Sequence, residues 1–209
     1  MRLLNLSKPD KLGVFMKLLK FVLMFLFISF LTGFSFSQTN NNLSNCFIDS
    51  EGNKYKTVKI GNQIWMAENF NCSLNLSGEK IKFYEYNNDS KNSEKFGRLY
   101  NHSVMINNMV PEGWKIPSKD DWMELIKFLG GEKIAGKKLK ENGFNLKYTG
   151  MRDFTNVFQW INETAVFLSS TKKGRAVISF FVKKDGSEIK QGTFHPDDAF
   201  SVRLIKVDK

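Results

Sequence analysis

The chain has 209 residues and a formal net charge of +10, from 31 Lys and Arg against 21 Asp and Glu. Its lysines fall in scattered pairs at 137–138, 172–173 and 183–184. They form no stripe mixed with exposed aromatics, which argues against nucleic acid as a partner. The two histidines, His102 and His195, are far apart in sequence and nothing brings them together as a zinc site requires.

From Leu18 to Phe36 the sequence is almost wholly apolar, with Lys17 before it and polar QTNNN after it. A basic head, an apolar run and the small residues Ser35 and Ser37 describe a secretory signal peptide over residues 1–37, cut ahead of Gln38. MKLLK at 16–20 is itself a complete basic head, so Met16 is an alternative start to Met1. An uncleaved leader would be a membrane anchor, since the run is nearly long enough to span. The first 37 residues hold five basic and one acidic residue, so the remainder keeps 26 of the 31 and 20 of the 21, net +6. A remainder of that size suits one domain burying roughly 70% of its unfolded surface.

Residues 38–46 are a polar, flexible lead-in. Asp49-Ser-Glu-Gly-Asn53 reads as a turn, because it lacks the repeated carboxylates and distal Glu of a calcium loop. Two β-rich runs then flank Gly61-Asn62, a tight-hairpin signal, and the second run carries Trp65 and closes on Glu68 and Asn69. These two polar residues are expected to be structural, since buried polar groups must be paired. Residues 71–110 read as a long, partly ordered connection ending in a short strand or helix at GRLYNHSVM.

The stretch PEGWKIPSKDDWMELIKFLGG, 111–131, reads as the start and body of a helix. Ser118 and Asp121 stand at capping-box spacing, and Asp120 and Asp121 face the positive end of the helix dipole. Pro117 and Trp122 occupy the two positions of a hydrophobic staple. Trp122, Leu125, Ile126 and Leu129 recur at helical spacing until Gly130-Gly131 stops the run. With Trp114 these residues are assigned structural work, for the stretch has no base, nucleophile or metal-ligand set. A second helix is expected over 132–141. Residues 142–164 form an irregular, aromatic-rich segment. Strands follow at 165–171, 175–184, 187–194 and 200–207, with Asp185-Gly186 as a hairpin turn between the second and third. The expectation is an α+β single domain: an N-terminal β-hairpin, two helices and a C-terminal antiparallel sheet.

The motifs KTVKIGNQIWMAENF, FGRLYNHSVM, PEGWKIPSKDDWMELIKFLGG, AGKKLKE, FLSST and FSVRLIKV occur in fixed order. That order resembles the Fibrobacter succinogenes major paralogous domain, a family of exported bacterial proteins, over residues 47–207. The helix-start motif and closing strand also look like those of sulfatase-modifying-factor domains. The resemblance therefore implies a C-type-lectin-like fold, in which the chain ends meet in one sheet and a long loop region forms the variable binding face. Relatives often carry cysteines where this chain has Val110 and Leu204, which implies a lost disulfide replaced by apolar packing. The loop at 144–165 also departs from relatives, so their ligand preferences do not carry across.

Chemistry is sparse. HPDD at 195–198 reads as a turn, and no serine sits in a G-x-S-x-G elbow. The calcium-linked sugar-binding triplets of C-type lectins are absent, and both cysteines lie far upstream of where the oxidase chemistry of sulfatase-modifying factors needs them. No cofactor and no metal are expected. Export permits a disulfide, leaving a possible Cys46–Cys72 bridge. Arg203, among apolar neighbours, is assigned to a structural ion pair. Tyr148, Arg152, Asp153 and Trp160, with Phe158, are the candidates for binding, because rings beside charges suit sugars or peptides, with core packing the preferred reading of Phe158 and Trp160. Together these readings point to a secreted or cell-surface, non-enzymatic recognition module for an extracellular glycan or protein. The alternatives are a hydrolase-like enzyme built from scattered carboxylates and a structural envelope protein.

Overall fold

The computed structural model describes residues 46–207, so the leader and nearly all of the lead-in lie outside the described residues. The first elements are β1 (Cys46–Ile48), β2 (Lys54–Ile60) and β3 (Gln63–Met66). Gly61 supplies the positive φ, 62°, that a two-residue turn between β2 and β3 asks of its first position. The loop that follows is more ordered than expected. A 3-10 turn at Tyr86–Asn88 leads into α1 (Ser90–Phe96), and β4 (Tyr100–Asn101) runs straight into α2 (His102–Met105). Helix α1 escaped the sequence reading because SKNSEKF has no apolar periodicity; the Asp89 carboxylate caps it by accepting from Lys91 N.

After β5 (Trp114–Lys115) comes α3 (Lys119–Phe128), with a complete capping box between Ser118 and Asp121. The helix ends in a Schellman pattern, Gly131 N to Ile126 O and Gly130 N to Lys127 O, both glycines at positive φ. Its inner face buries Trp122, Leu125 and Ile126, each aliphatic side chain worth roughly 1.5–3 kcal/mol. Helix α4 (Glu132–Glu141) follows at once and buries Ala135, Gly136 and Leu139.

The remaining strands are β6 (Met151–Arg152), β7 (Phe158–Gln159), β8 (Thr164–Lys173), β9 (Ala176–Lys183), β10 (Lys190–Phe194), β11 (Ala199–Phe200) and β12 (Ile205–Lys206). They make three antiparallel sheets, ordered β1-β2-β3-β12-β5, β10-β9-β8 and β4-β11-β6-β7. The β8–β9 pair divides the apolar interior. Ala165, Phe167, Ile178, Phe180 and Val182 face the cluster under α3 and α4, while Val166, Leu168 and Val177 face a second cluster with Phe47, Phe70, Tyr100 and Phe200. Val110 and Leu204 both pack in that second cluster. Among the described residues no helix is long and apolar enough to cross a membrane.

Three expectations change. The Asp185-Gly186 hairpin is not a two-residue turn: β9 stops at Lys183 and β10 starts at Lys190. The intervening residues detour to dock on α4, where Lys137 N donates to Ser187 O and Ile189 N to Glu132 O. Gly136 permits this approach, since a Cβ there would lie 2.7 Å from Glu188 O. The single closing strand is split into β11 and β12 in different sheets. Between them Val202 O accepts from Phe70 N, Leu204 O from Met66 N, and Ser201 O from Leu168 N, so one buried run stitches the sheets together. Lastly, no disulfide joins Cys46 and Cys72. The Cys72 thiol is buried against Ser50 Oγ and Leu74 O, each 3.2 Å away, while Cys46 opens β1 beside Lys56.

Candidate functional site

A groove of about 780 Å³ lies where the turn after β7 meets the β9–β10 connection. That size is ordinary for a small-ligand site. Its apolar surface comes from Trp160, Phe181 and Phe194. Alternation along β9 puts Phe180 into the core and Phe181 on the opposite face, beside Phe194 of β10. Gly192 lies between the two rings; a Cβ there would sit 2.5 Å from Phe194 and 3.3 Å from Phe181. Trp160 is 41% exposed and holds a φ of 64°. That left-handed conformation is costly for a bulky residue and persists only when its surroundings impose it. Gly150 is part of the imposition, for a Cβ there would fall 1.9 Å from Gln159 O. Trp160 O in turn accepts from Glu163 N and Thr164 N.

The polar rim is anchored as firmly. Lys184 N donates to Glu163 O at 2.7 Å, and Lys140 Nζ donates to the carbonyls of Lys184 and Gly186 at 2.5 and 2.8 Å. Asn162, Glu163, Lys183 and Asp185 line the groove. Burial pushes the Tyr148 phenol above its ordinary range, with the charge of Asp185 adding to the effect.

Of the binding candidates read from sequence, only Trp160 lines this groove. Tyr148 packs half-buried on the helix-side core. Arg152 is buried with its guanidinium 3.9 Å above the Tyr84 ring. The Asp153 carboxylate accepts from Thr155 N and Oγ1, Val157 N and Gln159 Nε2, which holds its own loop closed and its pKa below the usual value. Phe158 packs on Tyr86, ring centres 5.0 Å apart. These residues neighbour one another in sequence, but adjacent backbone directions send them to different faces. Phe181, Phe194, Asn162, Glu163, Lys183 and Asp185 were missed as site residues. The one signal was the FFVKKDG run, where period-two alternation sends Phe180 to the helix-side cluster and Phe181 to the partly buried edge of the other.

The residues assigned structural work sit as follows. Trp65 is fully buried, its Nε1 donating to Gln63 Oε1, and Trp122 stacks 5.2 Å from Phe180 and 5.5 Å from Phe167. Trp114 meets Phe47 edge-on at 5.0 Å, and Pro117 O accepts from Ser170 N. Glu68 is half-buried with Oε2 accepting from Lys56 N. Asn69 donates to Phe96 O, Thr149 Oγ1 and Ser201 Oγ. Arg203 corrects the expectation of an ion pair. It is fully buried with no carboxylate partner among the described residues and donates instead to Asn69 Oδ1 and to the carbonyls of Met66, Phe144 and Asn145. Burial pushes its pKa down to about 9, against the nearby charge of Glu68.

Asp49, Glu51 and Cys72 are the one trio among the described residues whose potential ligand atoms cluster within 4.8 Å. Their atoms are already engaged. Asp49 accepts from Glu51 N, Asn53 N and Nδ2 and Tyr55 OH, and Glu51 accepts from Ser73 N and Oγ. The trio braces the turn that enters β2 and carries no metal assignment. HPDD forms a turn in which Asp198 accepts from His195 N and Phe154 N.

The model of the Fibrobacter succinogenes major domain matches residues 58–206, spanning both walls of the groove. No curated protein and no solved structure matches the chain.

Proposed function

The chain belongs to the Fibrobacter succinogenes major domain family, and from that premise we propose that it is an exported, non-enzymatic recognition module. Its ligand, an extracellular glycan or protein, sits in the groove beside Trp160. The observation that carries this reading is Trp160 itself: a large aromatic side chain left 41% exposed on a left-handed backbone, at the mouth of a groove with anchored walls. Local strain of that kind gathers at binding sites. The apolar leader supports export. A C-type-lectin-like fold is supported by the meeting of early and late strands, β3 with β12, and by a binding face built from the long irregular segment.

Glu163 and Asp185 line the same groove, which keeps a second reading in view, that of a glycoside hydrolase with two carboxylates. Both are exposed, and the apolar enclosure that sets a general acid apart from its partner is missing at each. The test is the full chain on glycan and surface-protein arrays, beside Trp160→Ala. Capture of a ligand that the variant does not capture is the expected result. An array with no bound ligand overturns the recognition reading, and cleavage of a captured glycan replaces it with the hydrolase.

A further inference from the structure

We propose that the ligand of this groove is a neutral, hydroxyl-rich chain, a linear oligosaccharide, with one sugar ring stacked on Trp160. The inference rests on the recognition reading above and adds the class of ligand.

Three observations select that chemistry. The first is the shape and stiffness of the aromatic surface. Trp160 cannot relax into a pocket of its own, because Gly150 closes on the backbone beneath it and its carbonyl is held by Glu163 N and Thr164 N. A flat apolar ring carried on a fixed backbone, still open to water, suits a ligand that is itself flat, apolar on one face and polar at its edges. A pyranose ring has that form. Preorganisation also lowers the entropy lost when the ligand binds.

The second observation is charge. Glu163 and Asp185 offer carboxylates, Lys183 and Lys184 offer amines, and all four line the groove. Their formal charges balance, and the further cation on the rim, Lys140, is spent on the Lys184 and Gly186 carbonyls, so the lining favours neither an anion nor a cation. A phosphate or polyanion site would concentrate Arg and Lys without the acids. A hydroxyl, in contrast, donates to a carboxylate and accepts from an ammonium, and it uses every group present. Asn162 adds a side chain that does both.

The third is the paired floor. Phe181 and Phe194 continue the apolar surface inward from Trp160, and the missing side chain of Gly192 leaves the room their rings occupy. Several rings along one groove match a ligand with several units better than a single buried side chain. An apolar peptide anchor would favour an enclosed pocket without charged walls.

The test titrates the full chain with cellotetraose, xylotetraose, maltotetraose and chitotetraose, and with a mixed-sequence peptide library, by calorimetry and tryptophan fluorescence. The expected result is binding of at least one saccharide series that persists at high ionic strength. Trp160→Ala should weaken it by roughly tenfold, one aromatic stacking contact, with an unchanged melting curve, and Trp160→Phe should restore part of the loss. Saccharide binding that Trp160→Ala leaves intact overturns the site. If peptides bind in a Trp160-dependent way and no saccharide does, the ligand class is overturned while the recognition module stands. If neither binds, both readings fall.

Discussion

Arg203 donates from Nε to Oδ1 of Asn69 across 2.6 Å, and the two side chains, 134 positions apart, are both buried at the join between the sheets. Arg203 also stacks over Phe144 at 4.7 Å and satisfies three carbonyls. Replacing it with Met would strand three buried acceptors, Asn69 Oδ1 and the Met66 and Phe144 carbonyls, each costing about 1–3 kcal/mol, besides the partly buried Asn145 carbonyl. Arg203→Met is therefore expected to lose at least about 3 kcal/mol in chemical denaturation. A loss below 1 kcal/mol would mean that water reaches these carbonyls.

Asn69→Asp tests the same hub from the other side. The substitution places a carboxylate beside Arg203 and so creates an ion pair. It also turns the Nδ2 donor that serves Phe96 O, at 2.7 Å, into an acceptor facing an acceptor. The expected outcome at neutral pH is a net destabilisation of about 1–3 kcal/mol, because the unmatched carbonyl outweighs a charge pair whose Coulomb gain is spent on desolvation. A stabilised variant would refute that ordering.

Asp121 gives a prediction on the acid side. Burial raises its pKa, but Lys115 Nζ at 2.8 Å and the backbone and hydroxyl of Ser118 outweigh that and hold it below 3.8. A depressed carboxylate contributes stability that is present above its unfolded pKa and lost as pH falls through the folded one. The stability gap between the parent chain and Asp121→Asn should thus be about 0.5–2 kcal/mol near neutrality and close to zero once both are well below pH 4. Melting curves across that range measure it.

Tyr55 governs the alkaline side. Burial raises the phenol's pKa well above 10, and Asp49, which accepts from its hydroxyl at 2.6 Å, raises it further. A raised pKa contributes stability that is fully present below the unfolded value and lost as pH climbs above it. The stability advantage of the parent chain over Tyr55→Phe should shrink as pH rises past about 10. A gap that stays constant to the alkaline end would remove the hydrogen bond to Asp49 as its source.

Gly192→Ala addresses the groove without touching Trp160. The added methyl meets the Phe194 ring at 2.5 Å and must displace it from its place beside Phe181. The backbone φ is not positive there, so the effect is one of crowding, expected at about 1–3 kcal/mol. Ligand capture should fall by more than that stability loss explains at a temperature where the variant is folded. Unchanged capture would take Phe194 out of the binding surface.

Features whose physics is complete within a few residues could be read straight from the chain. The turn at Gly61-Asn62, the Ser118–Asp121 capping box and the glycine pair that ends α3 depend on local backbone geometry and on donors within a single turn. The bounds of α4, between Gly131 and Asn142, were legible too, although no side chain caps its start. Features that need partners far along the chain emerged from packing alone. Arg203 looked like half of an ion pair because its neighbours in sequence are apolar; its true partners come from positions 66, 69, 144 and 145. The two cysteines stood as a possible bridge until packing engaged Cys72 with Ser50 and Leu74. Trp160 was visible as a candidate, but Phe181, Phe194 and the charged rim become a site only when β9, β10 and the turn after β7 converge. Convergence of that kind is set by burial summed over the whole core, which no window of the sequence contains.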